Sequence, residues 1–432
     1  MQPIQWPLWR RIIFRFFFIY IALLISPWNW LDSIPWISKY ITTPIYNDPF
    51  DWLVRKSNAL FFHIKDELVP VAGSGDTSWG WAALCFTLSL AFIGMIIWSI
   101  FDRHRKQYVK LNFWLILFTR YYVALVCFSY GIIKIFGVQM VFPSYSQLAT
   151  PLGDFLPMRF SWLFIGYSTP YQFFSGLMEV VAGLLLLYRR TATLGSLIAT
   201  GVFIHVAILN LSYDIPVKIY SIQMVVLCLF LLANEMNRIL CFFIFNKPAN
   251  VCSIYHQTYP KRWMKISRVV LKLAFIYFAV WMVIDESITR RNQMKSAKEG
   301  MVFKEGSYDV VDYVLNGDTV PPLLTDTLRW QNVIFDSKRS GSIATKDTAL
   351  WQWYSRGYFR YKVDTTQKTL QIFRPGKDTL YIADLHYSYG NDGALLFNGR
   401  KGKDSLVLTL RRSTHNFPLA EKQFNWMTEQ IR

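Results

Sequence analysis

Seven apolar segments, each near the ~20 residues needed to cross hydrocarbon, follow one another over the first two thirds of the chain. They cover roughly residues 12–31, 80–101, 112–136, 170–188, 194–212, 217–236 and 267–284. The first is long and bulky and lacks a small-residue cleavage site, so we interpret it as a span rather than a signal peptide. The pattern predicts a membrane all-α bundle of about seven transmembrane helices.

After about residue 300 the pattern changes to short runs in which apolar and polar residues alternate. Examples are Leu370 with Ile372, and Leu406 with Leu408 and Leu410. Turn sequences such as Gly390-Asn391-Asp392-Gly393 and Asn398-Gly399 lie between the runs. Regularly spaced strands with such turns predict an antiparallel all-β domain over 300–432, a meander that forms a small sandwich or a partial barrel.

The connections divide the rest of the chain into further regions. We expect N-terminal helices over 1–111, a four-helix core over 112–236, and a connector with the last span over 237–284. Between the first two spans, apolar residues fit either a helix lying in the membrane interface or ordinary loop helices packed on the bundle. These residues are Phe50, Trp52, Leu53, Leu60, Phe61, Phe62 and Ile64. The Pro-rich, aromatic loop 138–169 predicts a re-entrant or lid-like segment buried against protein, which would roof a polar site within the core.

Composition supports the membrane prediction, since 53% of the residues are hydrophobic and the mean hydropathy is +0.23. Fifteen basic residues fall on the side that holds the N-terminus: Arg10, Arg11, Arg15, Arg103, Arg105, Lys106, Lys110, Arg189, Arg190, Arg238, Lys247, Lys261, Arg262, Lys265 and Arg268. Six fall in the opposite loops before the tail: Lys39, Arg55, Lys56, Lys65, Arg159 and Lys218. This bias predicts a bacterial inner-membrane protein with a cytoplasmic N-terminus and a periplasmic β domain.

The net charge of +18 therefore has an explanation in topology and in attraction to the lipid bilayer. No nucleic-acid-binding motif accompanies it, and we expect no nucleic-acid partner. The chain also has no C-x-x-C pair, which argues against a dithiol mechanism.

Ionisable side chains within three of the apolar segments are the main functional clue, because a charge in hydrocarbon costs at least about 2.5–3.5 kcal/mol. In the third span, Arg120, Ala124, Cys127, Gly131 and Lys134 form one helical stripe of two cations and small residues. In the fourth, Ser175, Gly176, Glu179, Ala182 and Gly183 share a face. Small residues let helices approach closely, so we expect Glu179 to meet a cation of the third span.

In the fifth span, Gly201, His205 and Ser212 lie on roughly one side. We therefore predict a polar intramembrane site entered from outside, with Glu179, His205 and Lys134 as candidate catalytic residues. The predicted ligand-binding residues are Arg120, Tyr130, Lys134, Glu179, His205, Asn210, Asp214 and Lys218. A purely structural role for these charges stays open, as buried ion pairs also set helix register. We expect no metal site, because clusters of ligand residues are absent from the sequence.

Parts of the core resemble a known family. Tyr130-Gly131-Ile132-Ile133-Lys134, Gly176-Leu177-Met178-Glu179 and Gly183-Leu184-Leu185-Leu186 resemble the four-helix core of DoxX-like membrane proteins over 112–236. The longer layout is similar to the HTTM relatives of vitamin K-dependent carboxylase. The resemblance implies a quinone-type ligand and a membrane subunit of a redox system. It carries over the positions of Lys134 and Glu179 but no role for either, and no catalytic-subunit signature appears.

Three function classes follow. The first is a protein that binds an amphipathic ligand, with a quinone as the implied cofactor. The second is a membrane scaffold whose domain 300–432 binds an extracytoplasmic protein partner. The third is a proton-coupled transporter, which predicts internal repeats and broken helices that the sequence does not reveal.

Overall fold

The computed structural model describes residues 5–26, 35–70, 75–248, 260–323, 326–421 and 427. Parts of three predicted regions, at 27–31 in the first span, 249–259 in the connector and 428–432 in the β domain, lie outside the described residues. The chain separates into two compact units. One comprises Met1–Ile135 with Phe173–Asp285, and the other comprises Phe136–Gln172 with Glu286–Arg432.

The first unit is helical. Its helices are α1 Leu8–Ile25, α2 Pro35–Ile37, α3 Asp48–Ser57, α4 Ser78–Phe101, α5 Val109–Ile135, α8 Thr169–Leu187, α9 Ala192–Ser212, α10 Lys218–Ala233, α11 Met236–Phe243, α12 Arg262–Ile276 and α13 Met282–Ser296. The first residues of α8 and most of α13 belong to the second unit. Wider π-helical turns at Ser38–Asn47, Asn58–Phe62 and Tyr277–Trp281 join some of these helices.

Five stretches of the described residues are long and apolar enough to cross a membrane: Ser78–Phe101, Val109–Ile135, Thr169–Leu187, Ala192–Ser212 and Arg262–Ser296. A sixth is counted if α10 and α11, which meet at a bend of 76°, form one broken span. These helices fit a lipid bilayer, and the helical bundle with a separate β domain is confirmed. The number of seven spans stays a prediction.

The first predicted span differs in character from the others because α1 carries three arginines. The Arg15 side chain is buried, although the sequence places it with the loop charges. Its guanidinium donates hydrogen bonds to the Tyr108 hydroxyl at 2.9 Å, the Ser99 hydroxyl at 2.8 Å and the Asp102 carbonyl at 2.9 Å. The guanidinium has five N–H donors in one plane, and the hydrogen bonds that it makes in this polar pocket offset the cost of burying its charge.

The segment between α1 and α4 is helical over most of Pro35–Phe62. Phe50 is partly buried and packs on Trp79 and Phe86. Leu60 and Phe61, in contrast, are 66% and 74% exposed. One side of the segment thus packs on the bundle while apolar side chains remain on its surface, and neither of the two interpretations alone describes it.

The second unit contains a β-barrel. Its ten strands are β1 Gly306–Leu315, β2 Asp318–Thr319, β3 Asn332–Ser337, β4 Ser340–Ile343, β5 Trp351–Trp353, β6 Arg356–Asp364, β7 Thr369–Arg374, β8 Lys377–Tyr389, β9 Leu395–Lys401 and β10 Asp404–Arg412. The order is β10-β9-β8-β7-β6-β4-β3-β1-β2, with β5 added beside β6. All pairs are antiparallel, and β1 also pairs with β10, which closes the sheet on itself.

Apolar side chains fill the interior of this barrel. Trp330, Phe335, Phe359 and Phe397 are nearly inaccessible, and the space left between them and their neighbours is about 10 Å³. A single water needs about that much room. The barrel interior is therefore a packed core rather than a ligand cavity, and any function of the domain belongs to its surface.

The predicted turn at Asn398-Gly399 is wrong, since both residues lie inside β9. Gly399 is needed there because a Cβ atom on it would lie 2.1 Å from the carbonyl oxygen of Asp384 on β8. Glycine within a strand marks such a close approach of two backbones. Asn398-Gly399 has the composition of a turn, but its glycine allows β9 to pack closely on β8.

Loop 138–169 contains two helices, α6 Tyr145–Leu148 and α7 Pro157–Tyr167, and belongs to the same compact unit as the barrel. Asp336 of β3 accepts hydrogen bonds from the Ser146 amide at 3.0 Å and from the Ser146 hydroxyl at 2.5 Å. Ser342 lies 2.6 Å from the Ser146 hydroxyl and accepts from Arg356 at 2.8 Å. The position of this loop over the helical core stays a prediction.

Burial shifts both ionisable groups of this network away from their charged forms. It raises the pKa of Asp336, although the hydrogen bonds from Ser146 oppose the shift. It lowers the pKa of Arg356 to about 10. Keeping these groups charged costs free energy, so the network holds α6 on the barrel only while its donors and acceptors stay matched.

We expect Asp336→Ala to release α6 from the barrel. The change removes a charged acceptor and leaves the Ser146 amide unpaired, a cost of about 1.5–3 kcal/mol for local opening. Hydrogen exchange of the Ser146 amide in the full chain should accelerate at least about tenfold. Asp309→Ala, at an exposed position on β1, serves as the control and should leave this exchange unchanged. Equal protection in the two variants would contradict the role of the network.

Candidate functional site

A buried ion pair lies between α5 and α8. The Lys134 ammonium donates a hydrogen bond to Oε1 of Glu179. The side chains are 9% and 1% exposed. The prediction that Glu179 meets a cation of the third span is confirmed, and the partner is Lys134 rather than Arg120.

Glycines allow the two helices to approach closely beside this pair. A Cβ atom on Gly176 would lie 2.5 Å from the Gly131 carbonyl oxygen and 2.8 Å from Cβ of Lys134. Two turns further along α8, a Cβ atom on Gly183 would lie 3.0 Å from the Phe128 ring. The small residues of both predicted stripes therefore form the contact between the helices, as expected.

A series of three tyrosines begins beside the pair and leads away from it. Tyr130, one turn before Lys134, is within electrostatic range of Glu179, and its ring centroid is 6.2 Å from that of Tyr220. Tyr220 in turn interacts with Tyr122 through their side-chain hydroxyls. The ion pair thus borders Tyr130, and Tyr220 of α10 connects Tyr130 to Tyr122, which lies about three turns from Lys134 on α5.

One atom of the pair lacks a partner. Oε2 of Glu179 is buried and accepts no hydrogen bond in the part of the chain that the structure describes. A buried carboxylate oxygen without a donor costs free energy, so this position favours a ligand that brings a donor. Lys134 also keeps donor capacity, since an ammonium has three N–H groups and uses one here. The pair can therefore hold a group that both donates and accepts.

The residues predicted at the outer end occupy a separate place. Asp214 is exposed and pairs with Lys218 at 2.5 Å, while Asn210 is buried and donates to the Val217 carbonyl at 3.3 Å. Asp76, which the sequence did not single out, accepts from the amides of Lys218 and Ile219 at 2.6 and 3.1 Å. These contacts order the start of α10 and do not bring the three predicted residues to the ion pair.

His205 also does not join the pair. Gly201, His205 and Ser212 do share one face of α9, but all three are exposed on the surface of the described bundle. The expectation that His205 faces the interior is wrong, because the buried face of α9 is formed by Gly195, Ala199, Phe203 and Asn210. Arg120 is half-buried and lies almost four turns from Lys134 on α5.

Tyr122 and Tyr220 were missed by the sequence interpretation, which singled out only Tyr130 of the three tyrosines. A weak signal exists for one of them, since Tyr122 and Tyr130 are eight residues apart and so lie about 80° apart around α5, within one broad face. Tyr220 comes from another helix and could be assigned only after the packing of α10 was known.

Comparison with known proteins identifies one relative with significant similarity. The chain is 32% identical over 115 residues to the protein YwoB of Bacillus subtilis (strain 168), an alignment that covers 26% of this chain and 71% of YwoB. The chain belongs to the YwoB family. YwoB is described as uncharacterized, so this membership brings no activity or ligand to the chain. No family model and no solved structure matches.

The glycine contact leads to a prediction that has a control within the same bundle. Gly176→Ala should destabilise the protein by about 1–3 kcal/mol, because the added methyl group meets the backbone of α5 and the helices must separate. Gly201→Ala places the same methyl group on a helix where nothing lies within 4 Å. It should be neutral or slightly stabilising. Thermal unfolding of the two variants in the same detergent tests this, and equal melting temperatures would contradict the close contact.

Proposed function

We propose that this membrane protein binds an amphipathic, quinone-type ligand at the Lys134–Glu179 pair. The observation that carries the proposal is the buried, unpartnered Oε2 of Glu179. A ligand hydroxyl, as in a hydroquinone, can donate to this oxygen, while a quinone carbonyl can accept from Lys134. The resemblance to DoxX-like proteins supports the same ligand class.

The environment of the pair favours a ring-shaped head group with two oxygens. Tyr130, and Tyr220 next to it, add aromatic surface and hydroxyl groups on the side of α10. Aromatic faces pack well on a planar ring, and hydroxyls serve as donors or acceptors. An isoprenoid tail would remain among the apolar side chains of the bundle and the lipid. His205, Asn210, Asp214 and Lys218 have no part in this binding mode.

A membrane subunit is the role that fits these features. In this proposal the ion pair supplies binding and proton exchange, and a redox partner carries out the electron transfer. We therefore place the chain beside a separate catalytic protein, as a subunit that holds a quinone for it in the bacterial inner membrane. A structural role for the ion pair alone predicts no bound ligand.

Quinone retention by the full-length protein tests the proposal. The wild type, purified in membrane nanodiscs, should carry quinone that mass spectrometry detects after solvent extraction. Glu179→Gln should lower the amount about tenfold, the loss expected for about 1.4 kcal/mol of a charged hydrogen bond. Lys134→Met should act in the same direction, and melting curves identify any variant that fails to fold.

Glu235→Gln provides the matched control. Oε2 of Glu235 is likewise buried and accepts no hydrogen bond from the described residues, and the Arg238 guanidinium lies 3.8 Å from this oxygen. It lies at the opposite end of the bundle, so its replacement should leave quinone retention unchanged. Quinone absent from the wild type, or equally present in Glu179→Gln, would overturn the proposal.

A second candidate function is a scaffold whose β domain binds an extracytoplasmic protein. The favouring observation is a surface groove of about 410 Å³ on the second unit, lined by Lys338, Arg339 and Lys362. Because the barrel core is packed, an outer groove is the place where this domain can recognise a partner. Three cations in one groove favour an acidic protein surface.

We expect reversal of charge in this groove to release such a partner. The variant Lys338→Glu with Arg339→Glu should lose a protein that cross-links to the wild-type β domain in membranes, and wild-type binding should weaken as salt rises. Lys368→Glu, at an exposed turn elsewhere on the barrel, is the control. Cross-linking that survives the double variant would exclude this groove as the docking site.

A further inference from the structure

Arg120 places a charged side chain where burying it costs free energy. It lies in the apolar helix α5, is half-buried, and its guanidinium carbon is 5.6 Å from the centre of the Tyr121 ring. Its Nε is buried and has no hydrogen-bond partner among the described residues. A guanidinium has five donors, and leaving one buried and unsatisfied costs free energy that a bound acceptor would recover.

The packing of α8 brings a second arginine to the same level. Gly176 faces Gly131, and Gly183 faces Cys127 and Phe128, so α5 and α8 run antiparallel. Arg189 follows Gly183 by six residues, and Arg120 precedes Cys127 by seven. The register therefore places Arg189, just beyond the end of α8, beside Arg120, and the two groups repel each other electrostatically.

The packing of α12 brings a third arginine. Phe275 of α12 contacts Tyr121 edge-on, with ring centroids 4.9 Å apart. Arg268 precedes Phe275 by seven residues, two turns, and so lies on the same face of α12. Arg268 also repels Arg120 electrostatically. Arg120 thus has two further arginines, Arg189 and Arg268, within electrostatic range.

Three neighbouring cations favour binding of an anion, and the guanidinium chemistry indicates which kind of anion. Arginine pairs with phosphate through two parallel N–H groups and is less strongly hydrated than lysine. The cluster lies where α8 stops, about three turns inside α5 and two turns inside α12, and we infer that the head group of a bound lipid reaches it there. This is also the side that the charge bias predicts to be cytoplasmic. Basic pockets between spans at this depth suit anionic lipid head groups.

We propose that Arg120, Arg189 and Arg268 form one binding site for the phosphate of an anionic phospholipid. The half-buried Arg120 binds the phosphate from within the bundle, and Arg189 and Arg268 bind it from the rim. The site is separate from the Lys134–Glu179 pair, which lies almost four turns away on α5. It binds lipid whether or not the pair binds a quinone.

Lipid binding to the full chain tests the site. Native mass spectrometry in detergent should detect phosphatidylglycerol retained at substoichiometric addition, and phosphatidylcholine should be retained at least fivefold less. Arg189→Gln and Arg268→Gln should each weaken phosphatidylglycerol binding about fivefold or more. Arg120→Lys keeps the charge but loses the planar fork, and should weaken binding without unfolding the protein.

Arg190→Gln is the matched control, because Arg190 adjoins Arg189 in sequence, carries the same charge and is also exposed. It should leave lipid binding unchanged. Equal losses in Arg189→Gln and Arg190→Gln would mean unspecific surface attraction and would overturn the proposal. Inorganic phosphate that displaces the lipid completely at millimolar concentration would also overturn it, since the site would then be one for the free ion.

Discussion

The buried contact between Lys134 and Glu179 is the constraint on which the helical unit depends. The pair can form only because glycines at 131 and 176 let α5 and α8 approach each other. Once formed, it resists any slippage, since one turn of displacement would leave two charges unpaired in an apolar interior, at a cost of about 3–5 kcal/mol. The same register aligns Tyr130 with Glu179 at one level and Arg189 with Arg120 at the other. One ion pair thereby sets the geometry of two polar places on the same pair of helices.

Helical periodicity predicted which residues share a face, and this part of the site was accessible from sequence. The stripes on α5 and α8 are buried together, and small residues form their contact. Periodicity could not say which face of a helix is buried when both faces carry small or polar residues. On α9, the face with Gly201 and His205 is exposed and the one with Gly195 and Ala199 is buried. Which face of a helix is buried depends on the neighbouring helices, and the sequence of one helix alone does not specify it.

The β domain shows the same division between local and distant information. Alternation identified strands such as β7 and β10, because each needs only its own residues to mark an inner and an outer face. Asn398-Gly399 was misread because glycine serves tight packing as well as turns. The contact of Ser146 with Asp336 joins residues 190 positions apart. Neither residue is unusual locally, so nothing in the sequence pattern could have indicated that loop 138–169 packs on the barrel.

The closed ring of strands affects how the β domain folds. Tyr308 at the start of the ring pairs with Arg412 at its end, about a hundred residues later along the chain. Every other join of the ring links strands that are close in sequence, so hairpins can form as the chain emerges, but the seam must wait for the last strand. Until then β1 and the most recently formed strand present open edges to any neighbouring chain. The period between synthesis of the first and last strands is when this domain is most exposed to mispairing.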